Sequence, residues 1–331
     1  MMKKFLFFAG LAMFALTACD PEQKPGNEEP APEPKDPAIK PVWVYTVAEK
    51  GKMEAIHPAV DAQGNVYVTE TNTTSLYKIK ADGTLAWKVD MVPSAESADP
   101  FSGQISVPSL EADGSVVYAG GGSSANGAFF AFNTADGSKK WEFSSDKFWA
   151  ANNAIPAPKI NRFNAAIGKE CIYIGNGGTT GTALAINKKD GTRASYVSSK
   201  EDGTGGPTGG TNVGMSLTKG GMVMFRGNYG AFAVNSASMD KPGEKGYVTY
   251  NARYYDKNMK QNNANIACFT KDGKDHFAMF GTNDNNGMNI IWGPVESTDN
   301  LAYYAADGTT PTWTTHTVAD AKKQDQGGLV I

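Results

Sequence analysis

Residues 129–141 read Phe-Phe-Ala-Phe-Asn-Thr-Ala-Asp-Gly-Ser-Lys-Lys-Trp. Apolar positions alternate through the first half, the Asp136-Gly137 pair interrupts them, and Trp141 follows after a short polar step. Because glycine adopts a positive φ without steric cost, Gly137 is expected to form a tight turn. Alternation places one face of each flanking strand inward, so this stretch predicts a β-hairpin.

The same pattern of apolar strand, Asp-Gly turn and following polar strand recurs along the chain. It returns at residues 76–87, at 183–192 and at 301–313. The residues that define it are expected to be structural, and they are Asp82, Gly83, Trp87, Asp136, Gly137, Trp141, Asp190, Gly191, Asp307, Gly308 and Trp313. Such a repeat indicates one architectural unit used several times.

Each unit also contains a short inner strand that begins near a proline or a small residue. Such strands are predicted at residues 58–60, 108–110, 158–160, 215–217 and 266–268. A strand rich in Val, Ile, Tyr or Met follows each of them, so every unit supplies four strands. The period of about 50 residues is typical of propeller blades. We therefore predict an all-β protein, a β-propeller of four-stranded blades.

The two ends of this repeat pattern are incomplete blades. Residues 42–45 read as an outer strand containing Trp43, and residues 327–331 read as an inner strand. Closing a sixth blade would need two more strands, on the order of 25 residues. We expect five complete blades plus a partial sixth, in a chain truncated at its C-terminus. A complete but irregular, partly open propeller is the alternative.

The aliphatic-Ala-aliphatic-Asn strand, the Asp-Gly-Thr/Ser turn and the Trp resemble the pyrroloquinoline-quinone-type (PQQ-like) propeller repeat across residues 42–331. In that family the Trp begins the outer strand and packs between neighbouring blades, as is implied here for Trp87, Trp141 and Trp313. The third unit has Tyr196 one residue late, and the fourth has no Asp-Gly turn after Asn235. The resemblance therefore implies looser packing at the rim of these two blades.

Two classes of function are compatible with this repeat. Quinoprotein dehydrogenases of the resembled family use eight blades, a calcium-bound quinone and an adjacent pair of cysteines. This sequence has five complete repeats and no adjacent Cys pair. We therefore predict no cofactor, and we favour a binding or scaffolding module over the alternative, a quinone-dependent or other propeller enzyme.

The ligand of such a module would contact the loops around the channel mouth. Aromatic and polar residues in these loops suit a protein or a carbohydrate ligand, although core packing would explain each of them singly. The candidates are Trp149, Asn153, Arg226, Tyr229 and Trp292.

No metal site is predicted. Of three cysteines, Cys171 and Cys268 fall in different blades and are expected to be buried thiols. The three histidines fall at different radial positions. Residues 282–287 resemble the start of a calcium loop, but Gly293 stands where the bidentate Glu would be needed.

Residues 1–19 are expected to be a lipoprotein signal peptide. Lys3 and Lys4 precede a short apolar stretch, and Leu-Thr-Ala-Cys at residues 16–19 resembles the bacterial lipobox. In that family the cysteine, here Cys19, is acylated and becomes the mature N-terminus. An ordinary secretory signal with a chance cysteine is the alternative.

Residues 20–41 are rich in Pro and Glu and are expected to be a disordered tether before the propeller at 42–331. Acidic residues after Cys19 resemble the export signals of surface lipoproteins of Bacteroidetes type. We thus expect an outer-membrane lipoprotein, surface-exposed if that signal operates. The formal net charge of −3 leaves no basic face for nucleic acid.

Overall fold

The computed structural model consists of β-sheets with a single short α-helix in its described part. The residues that it describes are 41–47, 57–70, 74–92, 106–121, 128–144, 164–176, 182–198, 214–227, 230–250, 252–255, 266–282, 288–295 and 314–318. Within these ranges, no helix is long and apolar enough to cross a membrane.

The strands form five antiparallel meanders, one for each predicted unit. The first comprises β1 (Ala59–Val60), β2 (Val66–Glu70), β3 (Ser75–Ile79) and β4 (Leu85–Asp90). The second comprises β5 (Ser109–Leu110), β6 (Val116–Gly121), β7 (Ala128–Asn133) and β8 (Lys139–Ser144). The third comprises β9 (Ala166–Ile167), β10 (Cys171–Asn176), β11 (Thr182–Asn187) and β12 (Arg193–Ser198).

The fourth sheet contains an insertion between its third and fourth strands. Its strands are β13 (Ser216–Leu217), β14 (Met222–Gly227), β15 (Gly230–Asn235) and β17 (Ala252–Tyr255). The insertion comprises helix α1 (Ser236–Asp240) and β16 (Tyr247–Thr249), and β16 joins the third sheet. The fifth comprises β18 (Ala267–Lys271), β19 (Lys274–Thr282), β20 (Met288–Pro294) and β21 (Thr314–Val318).

These sheets are the blades of a β-propeller, as the sequence predicts. The inner strands β1, β5, β9, β13 and β18 contact one another in chain order. Apolar side chains fill each space between successive blades, and between the second and third blades they include Phe129, Trp141, Ile172 and Leu184. The second, third and fourth sheets thus bury both faces against neighbouring blades.

The Asp-Gly turns lie together at one end of the blades, which we call the turn face. They connect the third and fourth strands, and the turns between the first and second strands lie at the same end. A Cβ built on Gly64 would stand 3.3 Å from the Cβ of Ala81, which shows how closely the two kinds of turn approach. The long connections between blades begin at the opposite end.

Two strands differ from the predicted positions. The inner strand of the third blade is Ala166–Ile167 rather than 158–160, and the third strand of the fifth blade is Met288–Pro294 rather than 301–304. Strand β20 pairs with β19 along its whole length, from Thr282 opposite Met288 to His276 opposite Pro294. A nearby strand closes a shorter loop, which costs less conformational entropy than the distant Asp-Gly unit would. Residues 158–160, 301–313 and 327–331 lie outside the described residues.

Candidate functional site

The predicted motif residues build the turns of the turn face. In the second blade, Gly137 has φ +77° and Asp136 Oδ1 accepts hydrogen bonds from the N–H and Oγ of Ser138 at 2.9 and 2.7 Å. Asp82 and Asp190 make the equivalent pair of bonds in the first and third blades. These bonds stabilise the ionised carboxylate and hold the pKa of each aspartate below its ordinary value.

The tryptophans connect each blade to the turn of the next one. Trp87 Nε1 donates to the carbonyl of Thr134 at 3.0 Å, and Trp141 Nε1 donates to the carbonyl of Lys188 at 2.8 Å. Each indole also lies against the glycine of that turn, because a Cβ on Gly191 would stand 2.7 Å from Trp141. The arrangement joins blades mechanically and presents no reactive group to solvent.

Trp43 makes the same contact at the start of the described chain. Its Nε1 donates to the carbonyl of Ala81 at 2.9 Å, and its ring lies against Gly83. Residues 41–47 form no strand. The predicted outer strand is therefore absent here, although its tryptophan takes the position that the repeat prescribes.

Three buried tyrosines donate to carboxylates near the turn face. Tyr118 donates to Glu111 at 2.6 Å, and the pairs Tyr67–Asp61 and Tyr173–Asp240 have distances of 3.1 and 2.7 Å. Burial, together with the adjacent carboxylates, raises the pKa of each phenol. These phenols stay protonated at neutral pH and act as hydrogen-bond donors.

Of the candidate ligand residues, the structure describes Arg226 and Trp292, and both lie in strands. Arg226 lies in β14 and is 2% exposed, and burial lowers the pKa of its guanidinium to about 10. Trp292 lies in β20. The prediction that these two residues belong to loops was wrong, because hairpins β14–β15 and β19–β20 pair through both positions. Trp149, Asn153 and Tyr229 lie outside the described residues.

The thiols and possible metal ligands show no constellation for catalysis in the described part of the chain. Cys171 is buried and Cys268 is partly buried, and neither forms a disulfide. Burial raises the pKa of Cys268 to about 12, so its thiol is not a nucleophile at neutral pH. Among the described residues, no group of three His, Cys, Asp or Glu side chains could hold a metal ion.

The insertion, residues 236–250, is the functional candidate that sequence reasoning missed. It leaves the fourth blade and places β16 on the outer edge of the third, in parallel pairing of Tyr196 with Tyr247 and of Ser198 with Thr249. The rim of these two blades is therefore joined rather than loose. The missing Asp-Gly turn after Asn235 was the available signal, since it marks a longer path to the outer strand.

The insertion is anchored on both sides of β16. Upstream, Met239 is fully buried and its carbonyl accepts a hydrogen bond from Ser195 Oγ at 2.6 Å. Downstream, Tyr250 packs edge-on against Phe232 with ring centroids 5.0 Å apart. The outer edge of the third blade can therefore form main-chain hydrogen bonds with an added strand. Strand addition of this kind is one way in which proteins bind polypeptides.

These features define the class: a β-propeller built from PQQ-like repeats. Residues 37–251 match the model of the family described as outer membrane protein assembly factor BamB, and the chain belongs to that family. None of the curated proteins compared matches this sequence.

Several solved structures resemble the chain at low identity. BamB from Moraxella catarrhalis is 12% identical, over 76% of this chain and 72% of that one, with a TM-score of 0.36. A quinohemoprotein alcohol dehydrogenase from Pseudomonas putida HK5 is 14% identical over 71% of this chain, with a TM-score of 0.43. This chain spans 44% of that dehydrogenase. A functionally unknown protein from Desulfotomaculum acetoxidans DSM 771 is 12% identical, over 78% and 73% of the two chains, with a TM-score of 0.49.

Proposed function

We propose that this protein is a lipid-anchored scaffold of the cell envelope whose propeller binds a polypeptide partner. The observation that carries this proposal is the family match over residues 37–251, because the family is described as an outer membrane protein assembly factor. A factor of that kind holds another polypeptide in place. A rigid stack of blades with paired and unpaired strand edges is suited to this task.

The anchor in this proposal is the acylated sulfur of Cys19. Each buried methylene contributes about 0.8 kcal/mol, so two or more acyl chains hold a folded domain at a membrane durably. Residues 20–41 then separate the propeller from the lipid, at about 3 Å per residue where the chain is extended. In this proposal the binding module lies at the outer membrane.

Crosslinking in intact cells tests the proposal. A photoreactive amino acid is placed at Val92, 63% exposed at the end where the long connections begin, or at exposed Asp113 on the turn face. We expect a discrete crosslinked polypeptide from at least one of the two positions, and mass spectrometry identifies it. If only glycan or lipid is crosslinked, the partner is not a polypeptide and the proposal is wrong.

The enzyme alternative has a separate readout. Pyrroloquinoline quinone and calcium are added to the purified full chain, and absorbance is recorded. We expect no new band, because the proposed function uses no cofactor. A saturable band with oxidation of an added alcohol would favour a dehydrogenase over a scaffold.

A further inference from the structure

The outer strands of the first three blades differ in charge. Strand β4 carries Lys88 and Asp90, which lie 3.4 Å apart, and β8 carries Lys139 and Glu142, which lie 2.8 Å apart. Charged side chains on an exposed strand edge discourage pairing with another chain. Strand β12 has one charged residue, Arg193 at its start, whose guanidinium lies 5.6 Å from the ring centroid of Tyr196. Its remaining residues, 194–198, read Ala-Ser-Tyr-Val-Ser and carry no charge.

The outer edge formed by the uncharged residues 194–198 of β12 is covered by another strand of the same chain, β16. Within the described residues, β4 and β8 end their sheets, whereas β12 is followed by β16. The residues that pair with β16, Tyr196, Val197 and Ser198, are buried, whereas Lys88 and Asp90 of β4 are exposed. The covering strand shows which chemistry this edge accepts: a parallel strand that presents Tyr, Val and Thr.

Strand β16 is less buried than Met239 in the helix before it, and its Tyr247 and Val248 pack at the margins of the cores on either side of the third blade. It has three residues, of which Tyr247 and Val248 are half-buried and Thr249 is exposed. Gly243 and Gly246 precede it with φ +70° and +68°, and a Cβ on either would meet nothing within 4 Å. The helix upstream is fixed through buried Met239. Strand β16 can therefore separate from β12 while α1 stays in place.

We propose that the outer edge of the third blade is a strand-acceptor site for an extended, uncharged segment of a partner polypeptide, which takes the place of β16. This rests on the proposed function, because it names where and how that polypeptide binds. Main-chain hydrogen bonds would supply the affinity, and the aromatic contact now made by Tyr247 with Tyr196 would supply selectivity. Strand β16 acts as a built-in competitor.

A labelled peptide copying the uncharged residues 246–251 is the probe, and the full chain in detergent is the receptor. V248D introduces a charge at a half-buried position of β16 and favours release of the strand. We expect fluorescence anisotropy to show at least tenfold tighter peptide binding to V248D than to the unmodified protein, because the attached strand no longer competes. V89D, an equal change in β4, is the control and is expected to leave peptide affinity unchanged.

Backbone methylation identifies edge pairing. In a parallel pair, only alternate N–H groups of a strand face its partner. One peptide is N-methylated at the positions of Tyr247 and Thr249, and a second at the position of Val248. We expect one of them to bind V248D like the parent peptide and the other to lose binding. Equal loss or equal retention would contradict the proposal.

Folding of the variants is followed by thermal melting. If V248D unfolds, Y247A provides the same comparison without an added charge. If both variants unfold, β16 is an inseparable part of the blade, and the acceptor site is refuted. Peptide binding without any crosslinked polypeptide in cells would refute the proposed function and leave the acceptor site intact. Crosslinking of a polypeptide in cells without peptide binding would refute the acceptor site and leave the proposed function intact.

Discussion

At the scale of single residues, the position of each indole depends on the glycine of the turn that it contacts. Trp141 can lie flat over the next turn because Gly191 has no side chain, and its N–H reaches the carbonyl of Lys188 only from that position. The same pairing joins Trp87 to the Gly137 turn and Trp43 to the Gly83 turn. Two contacts between successive blades, and the attachment of residues 41–47 to the first blade, thus depend on the same Trp–Gly pairing.

Replacing Trp141 with alanine is expected to destabilise the fold by about 3–5 kcal/mol, as for a large buried aromatic residue. Its side chain is 7% exposed and packs in the core between the second and third blades. Urea unfolding measures the loss. W141F keeps most of the packing and is expected to lose about 1 kcal/mol with the hydrogen bond. A W141A protein of unchanged stability that no longer binds its partner would assign the indole to the ligand instead.

Replacing Gly191 with alanine is expected to cost more than the same change at Gly243. Both glycines have positive φ, +74° and +70°, so both variants incur about 1 kcal/mol of backbone strain. Only at Gly191 does the new methyl also meet Trp141, at 2.7 Å. Comparing their unfolding free energies isolates the contact with the ring. Equal losses would show that the turn yields without disturbing the indole.

The turn aspartates predict a pH dependence whose sign follows from their lowered pKa values. Asp136 has a folded-state pKa below its value in the unfolded chain, so its contribution to stability is present above about pH 4 and is lost as pH falls through the folded pKa. We expect D136N to melt below the unmodified protein at pH 7. The gap in melting temperature should narrow towards pH 2.5. K140Q, which changes a neighbouring exposed charge, should show no such narrowing.

At the scale of elements, the hairpins follow local sequence and the insertion does not. Alternating apolar residues and an Asp-Gly pair predict β7, its turn and β8, because the signals lie within one short stretch. Strand β16 pairs with a strand about 50 residues away in the chain, a separation that no local pattern specifies. The prediction that 301–304 form the third strand of the fifth blade was wrong for a different reason, because the Asp-Gly motif was preferred to the neighbouring strand β20.

Met239 measures how firmly the insertion is anchored. M239A should cost about 2–5 kcal/mol, because this fully buried side chain packs between the third and fourth blades. Exposed Ser238, its neighbour in α1, is the matched control, and S238A is expected to change stability by less than about 0.5 kcal/mol. Chemical denaturation measures the free energy of unfolding of M239A and S238A. A negligible effect of M239A would mean that the whole helix, and not only β16, detaches readily.

At the scale of the whole molecule, the proposed function joins a membrane anchor, a tether and a propeller. The anchor is a prediction from sequence: Lys3 and Lys4, an apolar stretch and Cys19 in the order of a lipoprotein signal. C19A is expected to abolish incorporation of labelled palmitate and to move the protein from the detergent phase to the aqueous phase. Persistence of both signals in C19A would contradict lipidation at this residue. C171A, a change of a buried cysteine, serves as the control for labelling.

The repeat, the class of fold and the positions of most strands were readable from the sequence alone. The reason is physical: turns and alternation are encoded locally, and a blade is formed by strands that follow one another in the chain. The candidate ligand residues were less readable, because burial depends on which blade faces which residue. The charged side chain of Arg226 suggests a surface position in the sequence, but in the structure Arg226 lies in β14 and is buried.

The edge of the third blade became visible only in three dimensions. In the sequence, residues 194–198 are an ordinary uncharged strand and residues 247–249 are an ordinary apolar segment. Only tertiary structure brings them side by side, because their pairing depends on backbone hydrogen bonds between blades, and such bonds carry no residue-specific signal. The local pattern of side chains therefore determined the strands and turns of each blade. The tertiary path of residues 236–250 determined that the outer edge of the third blade is covered.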